Sequence, residues 1–214
     1  MIGLILLVVV GVIVGWLLQR FERLKQQDVT SPKTSARLKK LWDYVGKAFN
    51  EQRYWAAERA LLSILRIDHK NTAAYNRLGM LYARQQNYED AIECFDIASS
   101  LTPTVSTLYN LGLVQYEYGN FEKAATAFEK VIDLEPSSKR YMAYAKALEQ
   151  IGNHKKVVEI LEKVRELEPT QQHLELLAQA YERVKDFAQA EEVRQDAAIT
   201  RAKKKEPRPA WLKK

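Results

Sequence analysis

The side chains most often used for catalysis or metal binding are few and far apart in this sequence. The histidines are His69, His154 and His173, and the one cysteine is Cys94. Metal sites need several such ligands at short, defined spacings, and none of these residues is paired in that way. The sequence also lacks a glycine-rich phosphate loop, a paired-cysteine motif and a nucleophile elbow. We therefore predict no enzyme activity, no metal and no cofactor.

The elements that would position any site are predicted to be helices. The 214-residue chain is 47% hydrophobic and 28% charged, so it is not disordered overall. It contains only 8 Gly and 6 Pro, and its body is rich in Ala, Leu, Glu, Lys and Gln, which favour helices. Acidic residues alternate with lysines, as on solvated helix faces. The sequence therefore predicts an all-α protein.

The net charge of +6 is concentrated at the two ends of the chain. Residues 1–37 contain five basic and two acidic residues, and residues 201–214 contain seven basic and one acidic residue. The body between these ends is slightly acidic. This distribution is not typical of a basic nucleic-acid-binding domain, so nucleic acid is not predicted as the partner of the body.

The first eighteen residues, MIGLILLVVVGVIVGWLL, contain no charged side chain. As a helix they span roughly 27 Å, close to the bilayer core of about 30 Å. We predict a transmembrane anchor at 1–19 rather than a cleaved signal peptide, because no basic residue precedes the apolar run. Basic residues follow it, which predicts a single-pass protein with its N-terminus outside and its body in the cytoplasm, in a bacterial inner membrane.

Three glycines, Gly3, Gly11 and Gly15, share one face of this predicted helix. Small residues at four-residue spacing let two membrane helices approach closely. A homodimer through this face is therefore one hypothesis for the predicted anchor.

A polar segment, residues 20–37, follows the apolar run. Its beginning is basic, and its end, QQDVTSPKTSAR, contains Pro32 and few apolar side chains. We interpret it as a basic juxtamembrane segment and linker. Thr34 or Ser35 is then expected to cap the next helix.

From residue 38 onward the sequence repeats itself with a period of 33 residues. Leu-Gly or its substitutes stand at 78–79, 111–112, 144–145 and 177–178. Twelve residues after the second position of each of these pairs stands a small residue or a valine. In three units a proline stands twelve residues farther along the chain. These landmarks are Ala91, Ala124, Val157, Ala190, Pro103, Pro136 and Pro169. Such a period is typical of stacked helix pairs.

These landmarks resemble the signature of the tetratricopeptide repeat family across about residues 38–204. The resemblance implies a right-handed α-solenoid of about five helix-turn-helix units followed by a basic tail at 205–214. The predicted units are 38–71, 72–105, 105–138, 138–171 and 171–204. The second unit matches the family best, with Tyr75, Leu78, Gly79, Tyr82, Ala91, Phe95, Ala98 and Pro103 at signature positions.

Two glycines inside predicted helices need a reason, because glycine costs about 1 kcal/mol relative to alanine there. We expect small residues to meet where the two helices of one unit cross. The expected pairs are Gly79 with Ala91 and Gly112 with Ala124. Larger side chains at these positions would prevent close packing.

The resemblance also implies a concave groove lined by the first helix of each unit, which binds a protein or peptide. The predicted groove has an apolar centre and a cationic surround, which suits a partner segment with hydrophobic anchors and some negative charge. Its residues are Asn76, Arg77, Met80, Arg84, Tyr109, Asn110, Leu113, Tyr116, Lys139, Met142 and Lys146. The chaperone-binding clamp of some family members is not predicted, because Met80 and Ala143 replace its Asn and Arg.

The tail KKKEPRPAWLKK contains Trp211 and Leu212 among basic residues. Three interpretations are open: a solubilising tail, a contact with anionic lipid, and a contact with RNA. Contact with lipid would contribute about 1 kcal/mol per basic residue near the surface.

Two classes of function fit these features. The first is a membrane-anchored scaffold or adaptor that binds a partner in its groove, in a membrane-associated or envelope-associated assembly. The alternative is a chaperone-like translocation accessory or import receptor that holds client segments. The plan of anchor, linker and repeats resembles repeat proteins of bacterial envelope assembly and of mitochondrial import. A scaffold binds one partner with defined stoichiometry, whereas an accessory binds many unfolded peptides weakly.

Overall fold

The structure, a computed structural model, describes residues 11, 13–20 and 31–205. Residues 31–205 form helices joined by short turns, with no strand among them, so the all-α prediction is confirmed for this part of the chain. In chain order the helices are α1 (Pro32–Asn50), α2 (Tyr54–Ile67), α3 (Thr72–Arg84), α4 (Tyr88–Leu101), α5 (Val105–Glu117), α6 (Phe121–Leu134), α7 (Ser138–Ile151), α8 (His154–Leu167), α9 (Gln171–Arg183) and α10 (Phe187–Lys205).

The localisation predicted from the apolar run is wrong. Among the described residues, no helix combines the length and the apolar character that crossing a bilayer requires. Residues 11 and 13–20 are helical. Residues 1–10 and 12, including Gly3, lie outside the described part. A Cβ added at Gly11 or Gly15 would meet no atom within 4 Å.

Helix α1 begins at Pro32, inside the segment 20–37 that was predicted to be a linker. Ser31 is its N-cap, and the Ser31 Oγ accepts a hydrogen bond from the backbone N–H of Thr34 at 3.3 Å. Proline suits the first helical turn because the N–H that it lacks would have no helical partner there. Thr34 and Ser35 therefore lie within the first turn of α1 rather than at the cap.

Residues up to Leu81 form one compact unit. Within it α1 packs against α2, and alanines on α2 allow a close approach. The buried side chains of the two helices include Val45, Ala48, Ala56, Ala57, Ala60, Leu61 and Ile64. This spacing gives each helix one apolar face and leaves the other face to solvent.

Residues from Tyr82 onward form a second compact unit. From α4 to α10, each helix packs against the next one along the chain, and α5 also contacts α7. One apolar cluster connects α6 to α10, and a smaller cluster connects α4 with α5. Successive helix pairs therefore stack in this unit, with the first helices of two pairs, α5 and α7, side by side.

The turn within each helix pair uses one residue with positive φ. Gly119 has φ 89° and Gly152 has φ 80°, and the equivalent turns place Gln52, Gln86 and Lys185 at φ 56°, 61° and 64°. The next residue then donates its N–H to a carbonyl five positions earlier, as Asn120 N–H does to the Gln115 carbonyl at 2.8 Å. This is the common left-handed ending of a helix, for which glycine is the best-suited residue.

Gly112 on α5 lies directly against an aromatic ring of α6. A Cβ added at Gly112 would stand 2.6 Å from Cε1 and 2.8 Å from Cδ1 of Phe128, whose side chain is 1% exposed. Any side chain at this position would therefore displace the ring or the helix. The pairings of Gly112 with Ala124 and of Gly79 with Ala91 stay predictions.

One carboxylate connects three successive helices. Glu129 on α6 accepts hydrogen bonds from the Tyr144 hydroxyl on α7 at 2.9 Å and from Lys156 Nζ on α8 at 2.7 Å. The bonds from Lys156 and Tyr144 lower the pKa of the Glu129 carboxyl, whereas burial raises the pKa of Tyr144. Glu162 on α8 similarly accepts from the Tyr181 hydroxyl on α9 at 2.8 Å. Polar contacts thus join neighbouring helix pairs outside the apolar core.

We expect Gly112→Ala to lower the free energy of unfolding by about 2 kcal/mol, because the added methyl group overlaps the Phe128 ring in a packed core. The matched control is Gly46→Ala, which adds the same group to α1 where no atom lies within 4 Å. The control should be neutral or stabilise by up to about 1 kcal/mol. Urea unfolding of the full-length protein, followed by circular dichroism, measures both. Equal effects of the two substitutions would contradict the close contact.

We expect Gly119→Ala to destabilise the protein by about 1 kcal/mol, because a residue with a Cβ is strained at positive φ. The surrounding space is open, so only the backbone opposes this change. The reciprocal control is Lys185→Gly, at the equivalent turn position, which should not destabilise. Unfolding midpoints in urea test both variants. A Gly119→Ala variant as stable as wild type would show that this turn tolerates side chains.

Candidate functional site

The second unit contains a cavity of about 960 Å³, which we call the groove. Such a volume lies within the range of ligand-binding clefts. Its walls come from α5, α6, α7, the α8–α9 connection with the start of α9, and α10. The lining residues are Tyr109, Leu113, Tyr116, Glu117, Phe128, Ser138, Lys139, Met142, Ala143, Lys146, Glu168 to His173, Glu175, Thr200 and Arg201.

Helical periodicity explains why α5 presents these side chains to the groove. Tyr109, Leu113 and Tyr116 follow one another at intervals of four and three residues, so they share one helix face. The opposite face of α5 is buried and includes Leu108 and Leu111. In α7, the lining residues at 139, 142, 143 and 146 follow the same spacing. The two helices therefore turn equivalent faces toward one open space.

Aromatic stacking supports the apolar side of the groove. The Tyr109 ring packs against Phe128, with ring centroids 5.7 Å apart and planes tilted by 56°. The Tyr116 ring meets Phe121 edge-on at 5.3 Å. Burial raises the pKa of the Tyr109 phenol, although nearby Arg140 opposes this shift. Both tyrosines are thus held by the helices beneath them.

Leu113 and Met142 supply the aliphatic part of the groove surface. Leu113 is 39% exposed, although it lies between two aromatic residues that are half-buried. Met142 is half-buried and packs against the same core cluster as Tyr109 and Tyr116. A leucine that stays accessible within a concave surface is a feature of hydrophobic anchor sites.

Charges of both signs surround this apolar surface. The Nζ of Lys139 lies 5.9 Å from the centroid of the Tyr109 ring, close enough for a cation–π contact. Lys146 and Arg201 add further positive charge. The acidic lining residues are Glu117, Glu168 and Glu175. The cationic surround that the sequence predicted is therefore accompanied by three carboxylates.

Internal hydrogen bonds fix the wall formed by the start of α9. Thr170 caps this helix, and its Oγ1 accepts from the His173 backbone N–H at 3.2 Å. The His173 Nδ1 lies 2.8 Å from the Glu168 carbonyl oxygen, and Gln171 Nε2 donates to Glu175 Oε1 at 2.7 Å. These contacts hold the polar wall in shape without a ligand.

The structure brings together part of the predicted site. The residues that line the groove are Tyr109, Leu113, Tyr116, Lys139, Met142 and Lys146. Asn110 on α5 and Arg84 on α3 belong to the same unit but do not line it.

The other three predicted residues, Asn76, Arg77 and Met80, belong to the first unit. The Arg77 guanidinium lies 5.6 Å from the Trp42 ring and 5.9 Å from the Phe49 ring. Arg77 is exposed and lies against these two aromatic rings of the first unit. A ligand contact by any of the three residues stays a prediction.

Most of the polar wall and the contribution of α10 were not predicted from the sequence. The repeat period contained the signal for part of the wall, because Gln171, Gln172 and Glu175 stand 33 residues after Ser138, Lys139 and Met142. Thr200 and Arg201 gave no such signal, since they belong to the second helix of the last pair. Their place in the groove follows from the length of α10, which continues to Lys205.

The groups with redox or metal-binding chemistry do not form a site in the described residues. No cluster of three or more His, Cys, Asp or Glu side chains there is placed to hold a metal ion. Burial, together with the neighbouring Glu93 and Asp90 carboxylates, raises the pKa of the Cys94 thiol to about 12. Cys94 is therefore protonated at neutral pH and packs as a small apolar side chain.

Two family profiles match parts of the chain. The tetratricopeptide repeat profile matches residues 71–136. The profile described as anaphase-promoting complex, cyclosome, subunit 3 matches residues 117–197. The first match covers the two predicted units that carry Gly79 and Gly112, and it confirms the resemblance there. No curated protein sequence matches the chain.

Several solved structures share the fold. The crystal structure of MamA protein has a TM-score of 0.72 at 22% identity and covers 81% of this chain and 97% of that one. Another crystal structure of MamA has a TM-score of 0.67 at 23% identity, with coverages of 75% and 95%. MamA 41-end from Desulfovibrio magneticus RS-1 has a TM-score of 0.68 at 19% identity, with coverages of 79% and 97%. This chain is therefore similar to MamA in its all-α, tetratricopeptide-repeat-like fold.

Proposed function

We infer that this protein is a tetratricopeptide-repeat scaffold that binds a segment of a partner protein in the groove. The observation that carries this proposal is the accessible apolar surface of Leu113 and Met142 between two supported tyrosines. Interfaces gain most of their affinity from such anchor sites, where an apolar side chain is fully desolvated. No reaction is assigned, because the groove supplies contact surface rather than a catalytic arrangement.

The lining charges indicate which segments the groove would accept. An apolar residue of the partner would lie over Leu113 and Met142. Acidic groups of the partner would lie near Lys139 and Lys146, and basic groups near Glu168 and Glu175. Exposed ion pairs add little affinity, but they set orientation and raise the association rate. We therefore expect a segment with apolar anchors and charges of both signs.

Position 113 offers a direct test of the binding surface. A photo-crosslinking amino acid is placed at Leu113 in the full-length protein and activated in a lysate of the source cells. The matched position is Leu134, on α6, which is 58% exposed and does not line the groove. We expect one partner to crosslink from position 113 and not from position 134. Equal crosslinking from both positions would place the binding surface elsewhere.

The crosslinked partner also distinguishes the two classes of function. A scaffold gives one dominant product whose stoichiometry in solution is fixed. A chaperone-like accessory gives many products, and unfolded polypeptides of unrelated sequence compete with all of them. Mass spectrometry of the crosslinked products separates these results.

We expect Leu113→Asn to weaken binding of that partner at least tenfold, because burying a leucine contributes about 1.5–3 kcal/mol. Leu113 is preferable to the tyrosines for this test, since Tyr109 and Tyr116 also support Phe128 and Phe121. Leu134→Asn is the matched control and should bind like wild type. Calorimetry measures affinity, and circular dichroism confirms that both variants are folded. A folded Leu113→Asn variant with wild-type affinity would refute the groove as the site.

A further inference from the structure

The end of helix α10 lies at the groove, next to a segment of the chain that the proposed function does not use. Thr200 and Arg201 line the groove, and α10 ends at Lys205. The sequence then continues with residues 206–214, EPRPAWLKK, which lie outside the described part. This segment contains a short apolar stretch, Ala-Trp-Leu, at positions 210 to 212.

We propose that residues 206–214 bind in the groove of their own chain, with Trp211 and Leu212 as anchors, and thereby compete with the partner. The proposal rests on the proposed function, because it assigns a regulator to the same surface. The segment is the occupant of the groove when no partner is bound.

The length of the chain allows this contact. Arg201 already belongs to the groove wall, and Lys205 lies about 6 Å farther along the helix axis. The six residues from Lys205 to Trp211 reach up to about 20 Å when extended. A cavity of about 960 Å³ has a width on the order of 10 Å, so this reach is sufficient.

The proline content of the segment favours such a return. Pro207 and Pro209 lack a backbone N–H and fix φ near an extended value, so they oppose continuation of α10. They also disfavour helical conformations at the residues before them. An extended segment with fewer conformations loses less entropy when it binds.

The chemistry of the segment matches the groove. A tryptophan next to a leucine forms an amphipathic anchor pair, and the groove offers Leu113, Met142 and two tyrosine faces to receive it. Basic residues stand on both sides of this pair, at 208, 213 and 214. The three groove carboxylates, Glu117, Glu168 and Glu175, are complementary in charge. The basic residues of the segment can pair with these carboxylates, whereas an acidic partner segment cannot.

Tethering makes even a weak contact effective. A short link gives an effective concentration of about 1 mM, so a segment with a dissociation constant of about 100 µM would occupy the groove about 90% of the time. An external ligand would then bind roughly tenfold more weakly than it binds the open groove. A partner that binds tightly still displaces the segment, whereas a ligand that binds weakly does not. The segment therefore restricts the groove to partners of high affinity.

The test uses the synthetic peptide EPRPAWLKK, labelled with fluorescein, and full-length protein. In the Trp211→Ala/Leu212→Ala variant the groove is open, and we expect fluorescence anisotropy to show binding of the peptide. Wild type should bind the peptide roughly tenfold more weakly, since its own segment competes. Adding Leu113→Asn to the double variant should weaken binding at least tenfold, whereas adding Leu134→Asn should leave it unchanged.

Three results would overturn the proposal. One is failure of the peptide to bind the double variant, and another is equal binding by wild type and the double variant. The third is sedimentation that shows wild type, but not the double variant, forming dimers, because the segment would then occupy the groove of a second copy. The proposed function fails separately: if Leu113→Asn abolishes partner binding while the peptide never binds, only the self-contact is refuted.

Discussion

The contact between Gly112 and the Phe128 ring is the constraint on which the groove depends. Because Gly112 has no side chain, α5 approaches α6 until the backbone meets the ring. Phe128 then fills the space below α5 and supports the Tyr109 ring at 5.7 Å. The same aromatic ring thus closes the core on one side and supports the wall of the groove on the other. The helix-propensity cost of a glycine, about 1 kcal/mol, is offset by this packing.

The turns between helices repeat at a constant spacing, so equivalent positions recur on successive helix pairs. A residue with positive φ ends the first helix of each pair, at 52, 86, 119, 152 and 185, so from 86 onward the turn recurs every 33 residues. The constant spacing keeps equivalent positions on equivalent faces. Tyr109, Met142 and Glu175 are related by this period, and all three line the groove. The groove therefore contains the same repeat position on α5, α7 and α9. The side chain at this position is aromatic on α5, aliphatic on α7 and acidic on α9.

The repeat period made much of this architecture predictable, and the exceptions have physical causes. The period located the helix pairs, and the family resemblance implied the six predicted residues that line the groove. It placed the start of α1 too late, since proline was treated as a linker residue although it suits a first helical turn next to the Ser31 cap. Thr200 and Arg201 were not found, because the resemblance assigns the groove to the first helix of each unit and these two residues lie on a second helix, α10. The localisation predicted from the apolar run at the start was wrong, because the part of the chain that the structure describes contains no helix long and apolar enough to cross a membrane.

The groove differs from a flexible adhesive surface because its walls are fixed before any ligand binds. Phe128 and Phe121 restrict the tyrosines from below, and Thr170 caps the helix that forms the polar wall. Binding to such a surface costs little side-chain entropy, so a single leucine-sized anchor contributes most of its burial energy to affinity. Selectivity must then come from the charges at the edge, which are balanced between Lys139, Lys146 and Arg201 and the three carboxylates. A ligand with charge of only one sign forms ion pairs with either the basic or the acidic lining residues. It removes water from the others without pairing with them. For this reason the groove should discriminate by charge pattern more than by net charge.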